Sequence, residues 1–220
     1  MFKAVIFDWD GTLAETTNVI VASFREVLDE LHINVNDGFI ESRTGTSAKG
    51  IFSEILRTSG ASFDEETVRN LVEKRIKAEL EMRDQVRLNK GALDLLKSLK
   101  GKVKLALASM NNKPVISHVL TACGLSGFFN VVLSADEVFN SKPDPEIFLK
   151  CASKLRLQPE QCVVVEDSVF GVRAAKAAGM SCIAVLSGTA SRSELEQAHP
   201  DMMVASLGEK EAILKCIFNL

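Results

Sequence analysis

The chain has 220 residues, of which 46% are hydrophobic and 25% charged, enough apolar material for one good core and a smaller second unit and too much for a disordered chain. A formal net charge of -3 carries no basic footprint for nucleic acid or an anionic membrane, so the expected partner is a small molecule, with no nucleic acid and no membrane. Met1-Phe2-Lys3 runs into a strand without signal-peptide grammar, no apolar run is long enough to span a bilayer, and a cytoplasmic protein is expected.

The first element is Val5-Ile6-Phe7-Asp8-Trp9-Asp10-Gly11-Thr12-Leu13, an apolar strand ending in two carboxylates one residue apart. Gly11 allows a sharp turn there. Asp8 and Asp10 then sit together at the carboxyl edge of the strand, which is where open parallel sheets bind ligands. Close carboxylates repel unless a cation or a proton lies between them, so the pair predicts a divalent metal or one raised pKa. A buried strand followed by an Asx-type turn would use the same residues without chemistry.

From about residue 16 to 85 the pattern is wholly helical. Ile20, Phe24, Val27, Leu28 and Leu31 recur at threes and fours over about 17–32. A second helix begins near Ser47, with Ile51, Phe52, Ile55 and Leu56 on one face. A third opens on Ser62-Phe63-Asp64-Glu65, which fits a capping box, and carries Val68, Leu71, Val72, Ile76 and Leu80.

Beyond residue 91 helix and strand alternate. Gly91 to Leu99 reads as a helix stopped by Gly101, and Val103 to Ala108 as a strand ending at Ser109. Pro114 and Gly124 bracket the next helix, Val131-Val132-Leu133 is a strand, and a loop holding Ser141-Lys142-Pro143-Asp144-Pro145 leads into a helix reaching about Leu155. Val163-Val164-Val165 ends in Glu166-Asp167-Ser168 and is followed by a helix to Ala178, a strand from Cys182 to Leu186 and a final helix over about 208–219. Near-continuously apolar strands alternating with helices argue an α/β doubly wound parallel sheet with helices on both faces. The helical block is then an inserted cap domain, residues 16–85, and residues 1–15 and 86–220 form the catalytic core. The five cysteines, Cys123, Cys151, Cys162, Cys182 and Cys216, contain no C-x-x-C and read as small buried hydrophobes.

Polar residues recur at strand ends: Asp8 and Asp10, then Ser109, then Glu166 and Asp167, with Lys142 in a loop after a further strand. In a parallel sheet these ends converge on one edge. Carboxylates with a hydroxyl and an ammonium suit a phosphoryl group and a hard cation, Mg²⁺, while His32, His118 and His199 lie scattered and offer no zinc spacing. Singly, Ser109 could be a helix cap, Lys142 a solvated loop residue, and Glu166-Asp167 a helix-start pair.

Four motifs in order, D-W-D-G-T-L from Asp8, L-A-S-M-N around Ser109, S-K-P-D-P around Lys142 and V-E-D-S around Glu166, resemble the haloacid dehalogenase superfamily, in its phosphoglycolate phosphatase and β-phosphoglucomutase branch. The resemblance spans nearly the whole chain and implies a Rossmann-like core with a helical cap. It implies Asp8 as nucleophile, Asp10 as general acid and base, Ser109 and Lys142 as phosphate holders, and Asp8, Asp10, Glu166 and Asp167 at the metal, Asp10 through its backbone carbonyl and Glu166 directly or as a supporting partner. It further implies a cytoplasmic Mg²⁺-dependent phosphatase acting through an aspartyl phosphate on phosphoglycolate or a sugar phosphate. In the cap, Ser42-Arg43-Thr44-Gly45-Thr46-Ser47 resembles an R-x-G segment of the branch, which makes Arg43 a substrate-binding candidate beside Thr16 and Asn111. A capping loop with a surface arginine is the plainer reading of that segment.

A mutase of the same branch is the alternative, but a histidine follows its first motif where this chain has Ile20, and isoleucine cannot hydrogen-bond. A non-enzymatic phospho-acceptor or scaffold module is the alternative of another class. Receiver domains place similar residues on a similar sheet but need no helical insertion. Dehalogenases and phosphonate hydrolases depart at the position of Asp10. A monomer is compatible with all of this.

Overall fold

The computed structural model describes residues 1–60 and 62–219. The chain begins with β1 (Ala4–Phe7) and the two-residue β2 (Ala14–Glu15), then enters a helical run of α1 (Thr17–Glu30), α2 (Asp37–Glu41), α3 (Ala48–Thr58) and α4 (Glu65–Glu81). It leaves through β3 (Arg87–Leu88), which pairs antiparallel with β2 and forms a small ribbon at the neck of the insertion. Then follow α5 (Ala92–Leu99), β4 (Lys104–Ala108), α6 (Lys113–Ala122), β5 (Val131–Leu133), α7 (Glu146–Leu155), β6 (Cys162–Glu166), α8 (Val169–Ala177), β7 (Ser181–Val185), α9 (Arg192–Glu196), β8 (Met202–Val204) and α10 (Lys210–Phe218).

Six strands form one all-parallel sheet in the order β5-β4-β1-β6-β7-β8. β1 is therefore central, between β4 and β6, and its carboxyl end lies where the chain crosses from one half of the sheet to the other. That is the switch point at which this topology opens a crevice. The period of two along each strand divides the core by size. Val5, Phe7, Leu105, Leu107, Val163 and Val165 fill one face with residues of α5, α6 and α10. Ala4, Ile6, Ala106, Ala108, Cys162 and Val164 meet α7, α8 and α9 on the other. The alanine-rich face admits helices closely, whereas the face of larger side chains is filled by leucines such as Leu95, Leu96 and Leu99.

The insertion has its own apolar cluster, in which Phe24 and Phe52 stack with ring centroids 4.7 Å apart among Ile20, Val27, Ile40, Ile55 and Leu71. Two details of its helices differ from the sequence reading. α4 starts at Glu65, with Asp64 rather than Ser62 as its cap: the Asp64 carboxylate accepts from the Thr67 amide at 2.8 Å, and an anion at this end also gains from the helix dipole. The buried stripe of α4 is also rotated, running Val68, Leu71, Arg75, Ala78 and Glu79, so that two charged residues take positions an apolar face would occupy. In the α/β part the short α9 and β8 go beyond the elements expected from periodicity. Cys151, Cys162 and Cys182 are buried and unpaired, as small hydrophobes.

Candidate active site

β1 delivers Asp8 to the sheet edge, where its amide donates to Val165 O at 3.0 Å. The turn that follows depends on Gly11, whose φ of +82° favours glycine. A Cβ at Gly11 would stand 2.2 Å from Asp167 Oδ2, so the loop and Asp167 could not approach as they do with any other residue. Asn89 fastens this loop by donating to the carbonyls of Gly11 and Thr12 at 2.8 and 2.9 Å.

The structure brings Asp8, Asp10, Ser109, Lys142, Glu166 and Asp167 together, all of them buried. Lys142 Nζ donates to Asp8 Oδ1 and to Glu166 Oε1, each at 2.6 Å, and to Ala108 O at 3.2 Å. Ser109 Oγ donates to Asp10 Oδ2 at 3.2 Å and accepts from the Asn111 amide at 3.0 Å. Thr12, a residue the sequence reading passed over although it belongs to the first motif, donates its hydroxyl to Asp167 Oδ1 at 2.7 Å. Glu166 is engaged on both oxygens: Oε1 by Lys142, and Oε2 by the amides of Asp167 and Ser168 at 2.9 Å and the Ser168 hydroxyl at 3.0 Å.

Burial governs the titration of this cluster. It pushes Asp8 well above the ordinary carboxylate range against the opposing charge of Lys142, and pushes Asp167 up with Glu166 adding to the effect. Asp10 is raised by burial too, with the neighbouring Thr16 hydroxyl and Arg75 pulling the other way. Burial alone would lower the Lys142 ammonium, but Asp8 and Glu166 outweigh it and hold it above the usual lysine value.

Asp8, Glu166 and Asp167 each present a carboxylate oxygen, all within 4.8 Å of one another. Asp8 Oδ2 and Asp10 Oδ1 are buried without a hydrogen-bond partner. A Cβ at Gly188 would fall 1.7 Å from Asp167 Oδ2, so glycine on a second side also keeps space around that carboxylate. Hard oxygen donors, orphaned lone pairs and glycine-cleared room fit a small divalent cation. The Asp10 carboxylate lies outside this trio and is tied to Ser109.

The insertion closes over this edge and leaves a cavity of about 20 Å³, lined by Asp8, Asp10, Ile20, Thr44, Arg75 and Asn111 among others. Contacts across the closure include Ser47 N to Ser141 Oγ at 2.9 Å and Asn111 Nδ2 to Glu79 Oε1 at 2.7 Å. Two of the expected substrate-binding residues lie off the cavity wall. Arg43 does not line the cavity: its guanidinium donates to Glu54 through Nε and Nη2 and lies 3.5 Å from the centroid of the Phe39 ring. Glu54, on the adjacent α3, and the Phe39 ring offer it a closer anion and an aromatic face than the cavity does. The guanidinium that enters is that of Arg75, paired with Glu79 at 2.7 Å. Thr16 likewise bears on Asp10 instead of lining the cavity, whereas Asn111 does line it. The signal for Arg75 and Glu79 was present in the sequence as two charges continuing the stripe of Val68 and Leu71.

The haloacid dehalogenase-like hydrolase family model matches residues 5–185. Fructose-1-phosphate phosphatase YqaB of Escherichia coli is 31% identical over 184 residues, covering 84% of this chain and 96% of that protein. A phosphorylated carbohydrates phosphatase of Thermotoga maritima is 33% identical over 190 residues, covering 82% of this chain and 83% of its own length. The structure of β-phosphoglucomutase from Clostridium difficile superposes with a TM-score of 0.89 at 27% identity, over 100% of this chain and 98% of that one. The chain belongs to the haloacid dehalogenase-like hydrolase family.

Proposed function

We propose that this chain is a Mg²⁺-dependent phosphatase of a small phosphorylated metabolite, a sugar phosphate or phosphoglycolate, working through an aspartyl phosphate. The observation that carries this reading is Lys142, buried and bound to both Asp8 and Glu166 at 2.6 Å, with the other Asp8 oxygen free of a partner. The pair sets a nucleophile beside a fixed positive charge. Asp8 attacks phosphorus in line, forming a bond to phosphorus as the ester oxygen departs. Asp10, whose burial favours its protonated form, gives that oxygen its proton and then takes one from the water that hydrolyses the acyl phosphate. Lys142 and the Ser109 hydroxyl neutralise and orient the transferring oxygens. Asp8, Asp167 and the Asp10 backbone carbonyl would hold the divalent cation, which when bound supplies the charge that shields an anionic phosphoryl group from a carboxylate. Glu166, engaged on both oxygens, serves to seat Lys142, and Thr12 serves to aim Asp167.

Residues 16–85 act as a cap on a core of residues 1–15 and 86–220, and the cap opens to admit substrate, since about 20 Å³ holds little more than a water molecule. Phosphatases of phosphorylated sugars among the relatives support this class of reaction, that of a phosphoric monoester hydrolase. Ile20 on the cavity wall favours water over a sugar as acceptor, because the mutase reading requires a hydrogen-bonding group there. Among the described residues no helix is long and apolar enough to cross a membrane.

The test compares two variants on an activated aryl phosphate with magnesium. Asp8→Asn loses at least about 10³-fold in turnover. Asp10→Asn forms the aspartyl phosphate but does not release it, and intact mass measurement detects the added phosphoryl group. Near-normal turnover in Asp8→Asn, or equal loss of both half-reactions in Asp10→Asn, overturns the assignment.

A further inference from the structure

We infer that the group bearing the phosphate is neutral and hydroxylated, a sugar or polyol monophosphate rather than a phosphorylated carboxylate or a bisphosphate. This rests on the phosphatase reading above and selects within it. Among the described residues lining the cavity, Arg75 is the one cation on the cap side. Its charge is already answered: Glu79 lies 2.7 Å away, both side chains are 4% exposed, and Phe24 stacks beneath the guanidinium at 4.9 Å. Arg43, the other candidate for a second anion, is spent on Glu54 outside the cavity.

A second negative group entering beside Arg75 meets a guanidinium whose charge Glu79 already offsets from 2.7 Å, which weakens its pull on a further anion. Asp8 and Asp10 line the same cavity, and the positive charge of Lys142 and of the proposed cation is taken up by the phosphoryl group itself. What the cap leaves unanswered is hydrogen bonding. Arg75 Nε and Thr44 Oγ1 are both buried, line the cavity with their residues and have no partner. A donor N–H and a hydroxyl that both gives and accepts match substrate hydroxyls without needing charge. Ile20, Phe24, Ile51 and Met110 supply an apolar wall suited to the C–H face of a sugar. Glu79 is thus a specificity-determining residue that acts through Arg75.

The experiment measures phosphate release by the whole protein with magnesium from hexose monophosphates, glycerol phosphate, phosphoglycolate, a hexose bisphosphate and an aryl phosphate. We expect kcat/KM for the best neutral-bodied substrate to exceed that for phosphoglycolate and for the bisphosphate by about tenfold or more, the order a site built around hydroxyl partners imposes. Glu79→Gln, which keeps shape and unmasks Arg75, should shift that ratio toward phosphoglycolate by about tenfold. Thr44→Val should lower kcat/KM for the sugar phosphate more than for phosphoglycolate, and it keeps the test open if Glu79→Gln does not fold. Aryl phosphate hydrolysis with phosphoglycolate or the bisphosphate preferred overturns the inference and leaves the phosphatase reading standing. An unshifted ratio in both variants overturns it as well. No release from any substrate, aryl phosphate included, takes away the phosphatase reading and the inference with it.

Discussion

The sheet edge and the helical insertion both put charge into one cavity, but they hold it in different ways. At the edge, each functional side chain is tied to a residue from another strand or loop: Lys142 to Asp8 and Glu166, Ser109 to Asp10, Thr12 to Asp167. In the insertion, Arg75 and Glu79 answer each other within one helix, and Asn111 reaches that pair from the core side. If the insertion opens as proposed, these cross-strand ties should keep the geometry of the edge. Arg75 and Glu79 would then leave with the helix that carries them. On the proposed function, chemistry resides in the core and choice in a cap that opens, which agrees with the need to position reacting groups more tightly than specificity groups.

If the edge is a self-supporting network, removing its central cation should damage the fold as well as the activity. Lys142→Met leaves Asp8 and Glu166 buried without their partner, and a loss of about 3–5 kcal/mol at neutral pH is expected, along with catalysis. Urea unfolding in the absence of magnesium measures it, and a midpoint equal to wild type would mean that the carboxylates do not depend on Lys142. A smaller effect is expected where the network is only displaced. Gly188→Ala forces a Cβ into the 1.7 Å approach to Asp167 Oδ2, so Asp167 must move. The magnesium concentration for half-maximal activity should rise about 10–100-fold, as for other changes that misplace a ligand's support. An unchanged requirement would place the metal away from Asp167.

The two regions also differed in how far the sequence foretold them. Asp8, Ser109 and Glu166 follow strands, and once strands are parallel and adjacent their carboxyl ends must meet, so topology alone located these groups. A helix offers no such guarantee. Each residue turns its side chain by about 100° from the last, so a modest rotation of α4 buries Arg75 and Glu79 fully and leaves Val72 and Ile76 only partly buried. Arg43 had a motif in its favour, but a long side chain goes where partners are nearest, and Glu54 one helix away could not be foreseen from spacing. The small elements missed, α2, β2 with β3 and α9 with β8, carry too few residues to show a period.

Arg43 offers the direct test of that difference. Because its guanidinium rests on Glu54 and Phe39, Arg43→Ala should lower the stability of the insertion by about 1 kcal/mol, the upper end of the range for surface pairs, since this one is partly buried. It should change KM for a sugar phosphate and for an aryl phosphate by the same factor. A rise confined to the sugar phosphate would return Arg43 to the substrate and weaken the contrast between the regions.

The smallest expected effect tests whether the edge is anchored from within its own region down to its loops. Glu146 holds the start of the segment that carries Lys142, accepting from the amides of Phe139 at 3.1 Å and Asn140 at 2.8 Å while Lys150 binds it at 2.6 Å. Lys150 first, and then these amides, pull its carboxyl down from 4.5 to about 2. A group depressed in the folded state stabilises fully above its unfolded value, and that contribution fades as the pH falls through the folded one. Wild type should therefore melt above Glu146→Gln at neutral pH, and the gap should narrow as the pH drops from 4.5 toward about 2. Thermal melts of both proteins along that range decide it. A gap that stays constant to the lowest pH would show that the carboxylate's charge does not hold the loop, and that the anchoring of Lys142 begins only at Asp8 and Glu166.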